Sequence, residues 1–194
     1  ELVVSVPSGN FGNITAGLIA HRMGLPIKRF VAANNRNDVF LEYLRTSVYT
    51  PRPSVATIAN AMDVGDPSNF ARILDLYGKN GDQHAEISQL ISACRFTDEE
   101  IETTMKQVYN ETGYVLDPHG ACGYQALIEN KLAPEETGLF LETAHPAKFK
   151  ETVDKILDTD IGIPAGLKAF MQGEKQSIGM KKDFGTFKSY LLAQ

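Results

Sequence analysis

Short apolar runs alternate along this chain with stretches of helical spacing, and that alternation predicts most of its elements. LVVSV at 2–6 is continuous and β-branched, the mark of a strand buried on both faces. Over 13–23, Ile14, Leu18 and Ile19 recur at helical spacing, while Ala16, Gly17 and Ala20 keep the surface small enough to lie close to a sheet. Gly24 stops this helix, Pro26 follows, and IKRFVAA at 27–33 is a second strand. Strand, helix and strand in that order form a βαβ unit, which implies a parallel sheet with a right-handed crossover.

Further helices are expected at 39–45, 57–62, 69–77 and 86–93. Between them lie YTPRPS at 49–54, stiffened by Pro51 and Pro53, and the turn-rich DVGDPS and GKNGD. TDEEIETTMKQVYNET at 97–112 has the clearest boundaries: Thr97 and Glu100 make a capping box, and Gly113 is the stop. DPHGACGY opens a helix that runs to Asn130, 138–142 is a strand, and a helix begins near Pro146 in HPAKFKETVDKIL. The tail, with Gly173, Gly179 and Gly185, is expected to wrap the surface. No repeat or linker divides residues 1–194, so one α/β domain is expected, an open parallel sheet flanked by helices.

Composition narrows the class. Of 194 residues, 43% are hydrophobic and 22% charged, which is ordinary for a globular domain able to bury a core without disulfides or metals. The net charge is -5 with no basic stripe, which argues against nucleic acid. No apolar run reaches the roughly 20 residues of a membrane span. Cys94 and Cys122 stand far apart without metal-ligand spacing, and together with the absence of a signal-peptide pattern they favour a cytoplasmic setting. NIT at Asn13 and NET at Asn110 fit the short glycosylation pattern, which arises readily by chance. The chain enters a buried strand at Leu2, and this predicts that it is a piece of a longer polypeptide.

Three stretches can carry chemistry. SGNFGN at 8–13 lies where a buried strand hands over to a helix, the place in a parallel sheet where helix N-termini gather and attract anions. Gly9 and Gly12 let the backbone curl with its amides inward, while Asn10 and Asn13 suit left-handed or capping conformations. The spacing matches neither GxGxxG nor GxxxxGK[ST], and on the residues alone an anion cradle and an ordinary capped turn fit equally well. LETAHPAKF at 141–149 puts Thr143 and His145 at a strand's carboxyl end, with His145 better suited to capping than to base catalysis. In LDPHGACGY, Asp117 is an N-cap, Pro118 a first-turn residue, and Gly120 and Gly123 allow close helix packing. No catalytic triad, paired carboxylates or metal cluster can be argued from spacing, which points to a cofactor that brings its own chemistry.

The motifs together resemble one family. VPSGNFGNITAGLIA is similar to the phosphate loop of the threonine synthases, pyridoxal-phosphate enzymes of fold type II. AANNRND resembles that family's A-A-x-N-x-N-D, and NAMDVGDPSNFAR resembles its N-A-M-D-V…P-S-N-F-E-R, with Ala71 in place of Glu. GYVLDPHGACGY and TAHPAKF follow in the family's order, and the likeness runs from Val4 to about Leu167. It implies conversion of O-phospho-L-homoserine and water to L-threonine and phosphate, with pyridoxal 5'-phosphate as cofactor and electron sink. By motif position, Gly9, Asn10, Phe11, Gly12 and Asn13 would bind the cofactor phosphate and Thr143 the pyridine nitrogen. Asn35, Asn37, Asp38 and Arg72 would lie near the substrate cleft, and Arg52, Arg72, Lys148 and Lys150 are candidates for the substrate phosphate. In this family the Schiff-base lysine precedes the phosphate loop, yet no lysine stands before Gly9, and Lys168 reads as part of a solvated helix face. The resemblance therefore implies roughly the C-terminal half of a threonine synthase, inactive alone. Competing readings are a threonine dehydratase or cysteine synthase, or a non-catalytic phosphate-binding relative. DPHGA and TAHPAKF argue against the first two.

Overall fold

A computed structural model describes residues 1–77, 81–174 and 176–193. Gly78, Lys79 and Asn80 of the expected GKNGD loop lie outside the described residues. The chain divides into two compact units, Glu1–Ile161 and Gly162–Gln194.

In the first unit, β1 (Leu2–Pro7), β2 (Ile27–Asn34), β3 (Ile91–Arg95) and β4 (Thr137–Phe140) form one parallel sheet in the order β3-β2-β1-β4. Alternate residues of the central strands enter two cores. Val4, Val6, Phe30 and Ala32 face α1 (Gly12–Arg22), α2 (Val39–Thr46), α3 (Phe70–Tyr77) and α4 (Gln83–Leu90), packing against Ile14, Leu18, Phe40, Ile73 and Ile87. Val3, Val31 and Ala33 face α5 (Asp98–Thr112), α6 (Pro118–Glu129) and α7 (Lys150–Leu157), among Ile101, Met105, Ala121, Ala126 and Val153. Both faces of β1 and β2 are buried, so their sequences read as continuous apolar runs. Ser5 is the exception on β1, and its hydroxyl donates to the Gly123 carbonyl of α6 at 2.7 Å. Gly123 lets α6 come this close, since a Cβ there would stand 3.3 Å from the Pro7 ring.

The capping box of α5 is present, with Gly113 closing the helix at φ 72°. Four expectations need correction. The helix expected over 86–93 ends at Leu90, and Ile91–Arg95 is strand β3. No glycine or proline marks that change, and pairing of Ile91 with Phe30 and of Ala93 with Ala32 overrides the helical spacing. The helix expected over 57–62 shrinks to one 3₁₀ turn, Asn60–Met62, because the preceding residues bond to side chains. The region from Pro146 starts as a 3₁₀ turn, Pro146–Phe149, before α7 begins. Strand β4 ends two residues earlier than expected, although the Leu141 amide still donates to the Ser5 carbonyl at 3.1 Å.

The second unit holds α8 (Ala165–Met171), which carries Lys168, and α9 (Phe184–Leu192), a helix in the tail expected to wrap the surface. Asp183 caps α9 by accepting from the Thr186 amide at 2.7 Å. Lys168 is exposed on α8, as its solvated-face reading requires.

Candidate functional site

The strand order fixes where a ligand would bind. The chain steps outward from β1 to β2 to β3 and then places β4 on the other side of β1. That reversal is a topological switch point, and the carboxyl ends of β1 and β4 beside it are the usual ligand position in such sheets. Residues 8–13 follow β1 and Thr143 follows β4, and Ser5 pairs with Phe140 just below them. Both stretches therefore stand at one end of one strand pair.

The turn at 8–13 is held from three sides. The Ser8 amide donates to the Ala33 carbonyl at 2.8 Å, and the Asn34 side chain donates to the Ser8 carbonyl at 2.8 Å. Gly9 lies under the 3₁₀ turn, where a Cβ would come 2.5 Å from Met62 Cα and 3.1 Å from the Ala61 carbonyl. The Asn10 carbonyl accepts from the Asn69 side chain at 2.8 Å. Asn10 Oδ1 accepts from the Ser68 amide at 2.6 Å and the Ser68 hydroxyl at 3.0 Å. Arg72 joins this network by donating to Asn69 Oδ1 at 3.3 Å.

The backbone curl itself differs from expectation. Neither Gly9 nor Gly12 has positive φ; the left-handed residue is Phe11, at φ 61°. Its ring is buried 4.8 Å from that of Phe40, which offsets the strain of that conformation. Asn13 does not cap α1, and no side chain does. The first-turn amides of α1 have no intrahelical acceptors by construction, while Gly12 and Asn13 are exposed. A glycine-floored turn with an uncapped helix start fits an anion of phosphate size.

Asn35 and Asn37 are buried and their amides are engaged by the loop at 55–63. Asn35 Nδ2 donates to Thr57 Oγ1 and Asp63 Oδ1, both at 2.8 Å. Asn37 Nδ2 donates to the Val55 carbonyl at 2.9 Å and its Oδ1 accepts from the Val55 amide at 2.7 Å. Asp38 pairs with Arg52, and with Arg95 at 3.4 Å, while Arg52 also bonds Glu42 at 2.7 Å. Lys150 pairs with Asp154 and Asp160. Lys148 lies 5.3 Å from the centre of the Phe149 ring. Thr143 is exposed, and His145 caps its turn by accepting from the Ala147 amide at 3.1 Å.

One group of titratable residues escaped the sequence reading. Asp117 caps α6 and is fully buried, with Oδ1 accepting from the His119 amide at 2.8 Å and lying 2.5 Å from His119 Nδ1. His119 Nε2 accepts from the Ala61 amide at 3.1 Å. Glu142, next to Thr143, lodges against Gly120, where a Cβ would be 1.9 Å from Oε1. Burial, then the hydrogen bond and charge of Asp117, push the Glu142 carboxyl up to about 9. Burial alone would raise Asp117, but hydrogen bonds with the His119 ring, Glu142 and the His119 amide outweigh it and hold Asp117 below its ordinary value. Glu142 is thus the neutral acid and Asp117 the carboxylate. The only local signs in sequence were the D-P-H spacing and Gly120. Among the described residues no group of three His, Cys, Asp or Glu could hold a metal, and no helix is long and apolar enough to cross a membrane.

Comparison with known proteins gives the family. The family model described as pyridoxal-phosphate dependent enzyme matches residues 2–142, nearly three-quarters of the chain. The chain belongs to that family. A second family model, threonine synthase, C-terminal, matches residues 120–191. The chain is 47% identical over 192 residues to threonine synthase from Haemophilus influenzae, covering 99% of this chain and 44% of that protein. The crystal structure of threonine synthase from Escherichia coli superposes with a TM-score of 0.81 at 40% identity, covering 99% of this chain and 44% of the other. The X-ray crystal structure of PLP-bound threonine synthase from Brucella melitensis gives a TM-score of 0.83 at 31% identity, with 98% and 45% covered. This family member thus has the α/β architecture of the fold-type-II pyridoxal-phosphate enzymes, and spans less than half the length of these relatives.

Proposed function

We propose that residues 1–194 are the C-terminal part of the cofactor-binding large domain of a threonine synthase. They would supply the phosphate end of a pyridoxal 5'-phosphate site. The observation that carries this is the 8–13 turn, pinned by Met62, Ser68 and Asn69 at the β1–β4 switch point with Thr143 on the next strand end. Its backbone, from Gly9 through Asn10, Phe11 and Gly12 to Asn13, would hold the phosphate group, and the Thr143 hydroxyl would meet the pyridine nitrogen. Bound, the cofactor withdraws electrons from the substrate during elimination.

The rest of the site positions these groups. Asn35 and Asn37 shape the loop at 55–63 that lies over the turn, rather than spending their amides on a substrate. Arg72, tied to the turn through Asn69, is the cation best placed for an anionic substrate group. Arg52, Asp38 and Lys150 are engaged in ion pairs. The substrate we assign to the whole protein is O-phospho-L-homoserine, and the products are L-threonine and phosphate. A cytoplasmic setting suits the two free cysteines, Cys94 and Cys122.

No lysine precedes Gly9 within these residues, so the lysine that the family places before the phosphate loop would come from additional chain. Phosphate release from O-phospho-L-homoserine should be undetectable with the 194-residue chain and added cofactor. A longer gene product carrying that lysine should release phosphate and threonine together. Clear turnover by the 194 residues alone, or none by the longer product, would contradict the proposal.

A further inference from the structure

The buried carboxyl pair is joined to the turn by an unbroken set of contacts. Glu142 lies two residues beyond β4, just before Thr143, and meets Asp117 in the space opened by Gly120. Asp117 accepts from the His119 ring, which fixes the proton on Nδ1 and leaves Nε2 to accept from the Ala61 amide. Ala61 and Met62 in turn press on Gly9, closer than any Cβ would permit. Asp117 Oδ2 and Glu142 Oε1 are both buried with no hydrogen-bond partner. Two facing carboxylates could not both stay ionised there, and one proton between them resolves both the repulsion and the missing hydrogen bond.

We propose that Glu142 is a positioning residue for the 8–13 turn: as the neutral acid it bonds Asp117, Asp117 orients His119, and His119 holds the Ala61 amide against Gly9. The same side chain anchors the strand end that carries Thr143. One buried proton thus sets the distance between the turn and that strand end. When Glu142 gives that proton to solvent base, two negative carboxylates face each other and the Ala61–Gly9 contact loosens. Calling the turn a phosphate site rests on the function proposed above; the coupling itself does not.

The groups facing Glu142 and Asp117 from the packed elements are His119 on α6, Cys122 on α6, Tyr114 ahead of α6, and Asp98 on α5 acting on Cys122. Burial raises Tyr114 and Cys122 above their ordinary values, so neither loses its proton before Glu142 does.

The test is a pH titration of the ¹³C-labelled 194-residue chain, following Glu142 Cδ and the carbonyl carbons of Gly9 and Ala61. Affinity for inorganic phosphate is measured in parallel above pH 8, where phosphate has finished its own second ionisation. The three carbon signals should share one alkaline midpoint, and phosphate affinity should fall threefold or more across it. In Glu142→Gln, which keeps a neutral donor, both changes should vanish. In His119→Gln, Glu142 should still titrate while Gly9 no longer follows it. A Glu142 signal that titrates below pH 6, or Gly9 and Ala61 signals that ignore Glu142, would overturn the proposal. Should a variant not fold, the shared midpoint in the unaltered chain decides by itself. Tight, pH-independent phosphate binding would overturn the coupling and keep the phosphate site. A shared midpoint without phosphate binding would keep the coupling and remove the phosphate site.

Discussion

Gly9→Ala should lower folding stability by about 1–3 kcal/mol, the usual cost of forcing atoms into a packed interior. The new methyl would start 2.5 Å from Met62 Cα and 3.1 Å from the Ala61 carbonyl, and both neighbours are backbone. A side chain could swing away, but the 3₁₀ turn can move only by giving up the His119 bond to Ala61 or the Thr57–Asp63 bonds behind it. Whichever it gives up, the turn at 8–13 changes shape. Phosphate affinity should therefore fall at least tenfold, more than the loss of stability alone would produce. Denaturation in urea and calorimetric titration with inorganic phosphate measure the two effects. A control at Gly24, whose Cβ would meet nothing within 4 Å, separates close packing from backbone freedom. Gly24 has φ 105°, so Gly24→Ala should cost stability and leave phosphate affinity unchanged. Equal effects of the two substitutions on phosphate affinity would refute the role given to the Met62 contact.

The second large effect is on the pH dependence of stability. Glu142 is raised from an ordinary 4.5 to about 9 in the folded chain, first by burial and then by Asp117. Below pH 4.5 it is protonated both folded and unfolded, and contributes no slope. Between that value and the folded one, the native state binds a proton that the unfolded chain has released. Stability must then fall as pH rises, by about 1.4 kcal/mol per pH unit at full effect. Above the folded value the loss is complete and the slope ends. Solvent reaching this half-buried carboxyl narrows the window rather than flattening the slope. Glu142→Gln should remove the contribution, so the variant gains on the unaltered chain as pH rises from 5.5 to 8. The gain should exceed about 1 kcal/mol. Urea denaturation at several pH values measures it, and parallel pH profiles would contradict the assignment of the proton to Glu142.

Much of this molecule was legible in its sequence because local and tertiary signals agreed. LVVSV and IKRFVAA needed only their apolar runs, and α5 carried its own start and stop in Thr97, Glu100 and Gly113. Strand β3 was not legible, since ISACR adjoins a helix without a breaker and becomes a strand only by pairing with β2. In the turn, sequence showed two glycines and two asparagines but not their division of labour. Gly9 serves close approach, Phe11 takes the left-handed conformation, and Asn10 ties the turn to Ser68. The Asn35–Asn37–Asp63 network and the Glu142–Asp117–His119 cluster join residues more than 20 positions apart, so spacing could not show either.

The central claim is that the turn at 8–13 and Thr143 form the phosphate and ring ends of one pyridoxal-phosphate site. The most direct test is amide NMR of the 194-residue chain with 4'-deoxypyridoxine 5'-phosphate, which lacks the aldehyde and cannot attach to surface lysines. Signals of Phe11, Gly12, Asn13 and Thr143 should shift together and saturate, and the same compound without its phosphate should leave them unmoved. Unchanged signals at 8–13, or equal shifts with and without the phosphate, would contradict the account.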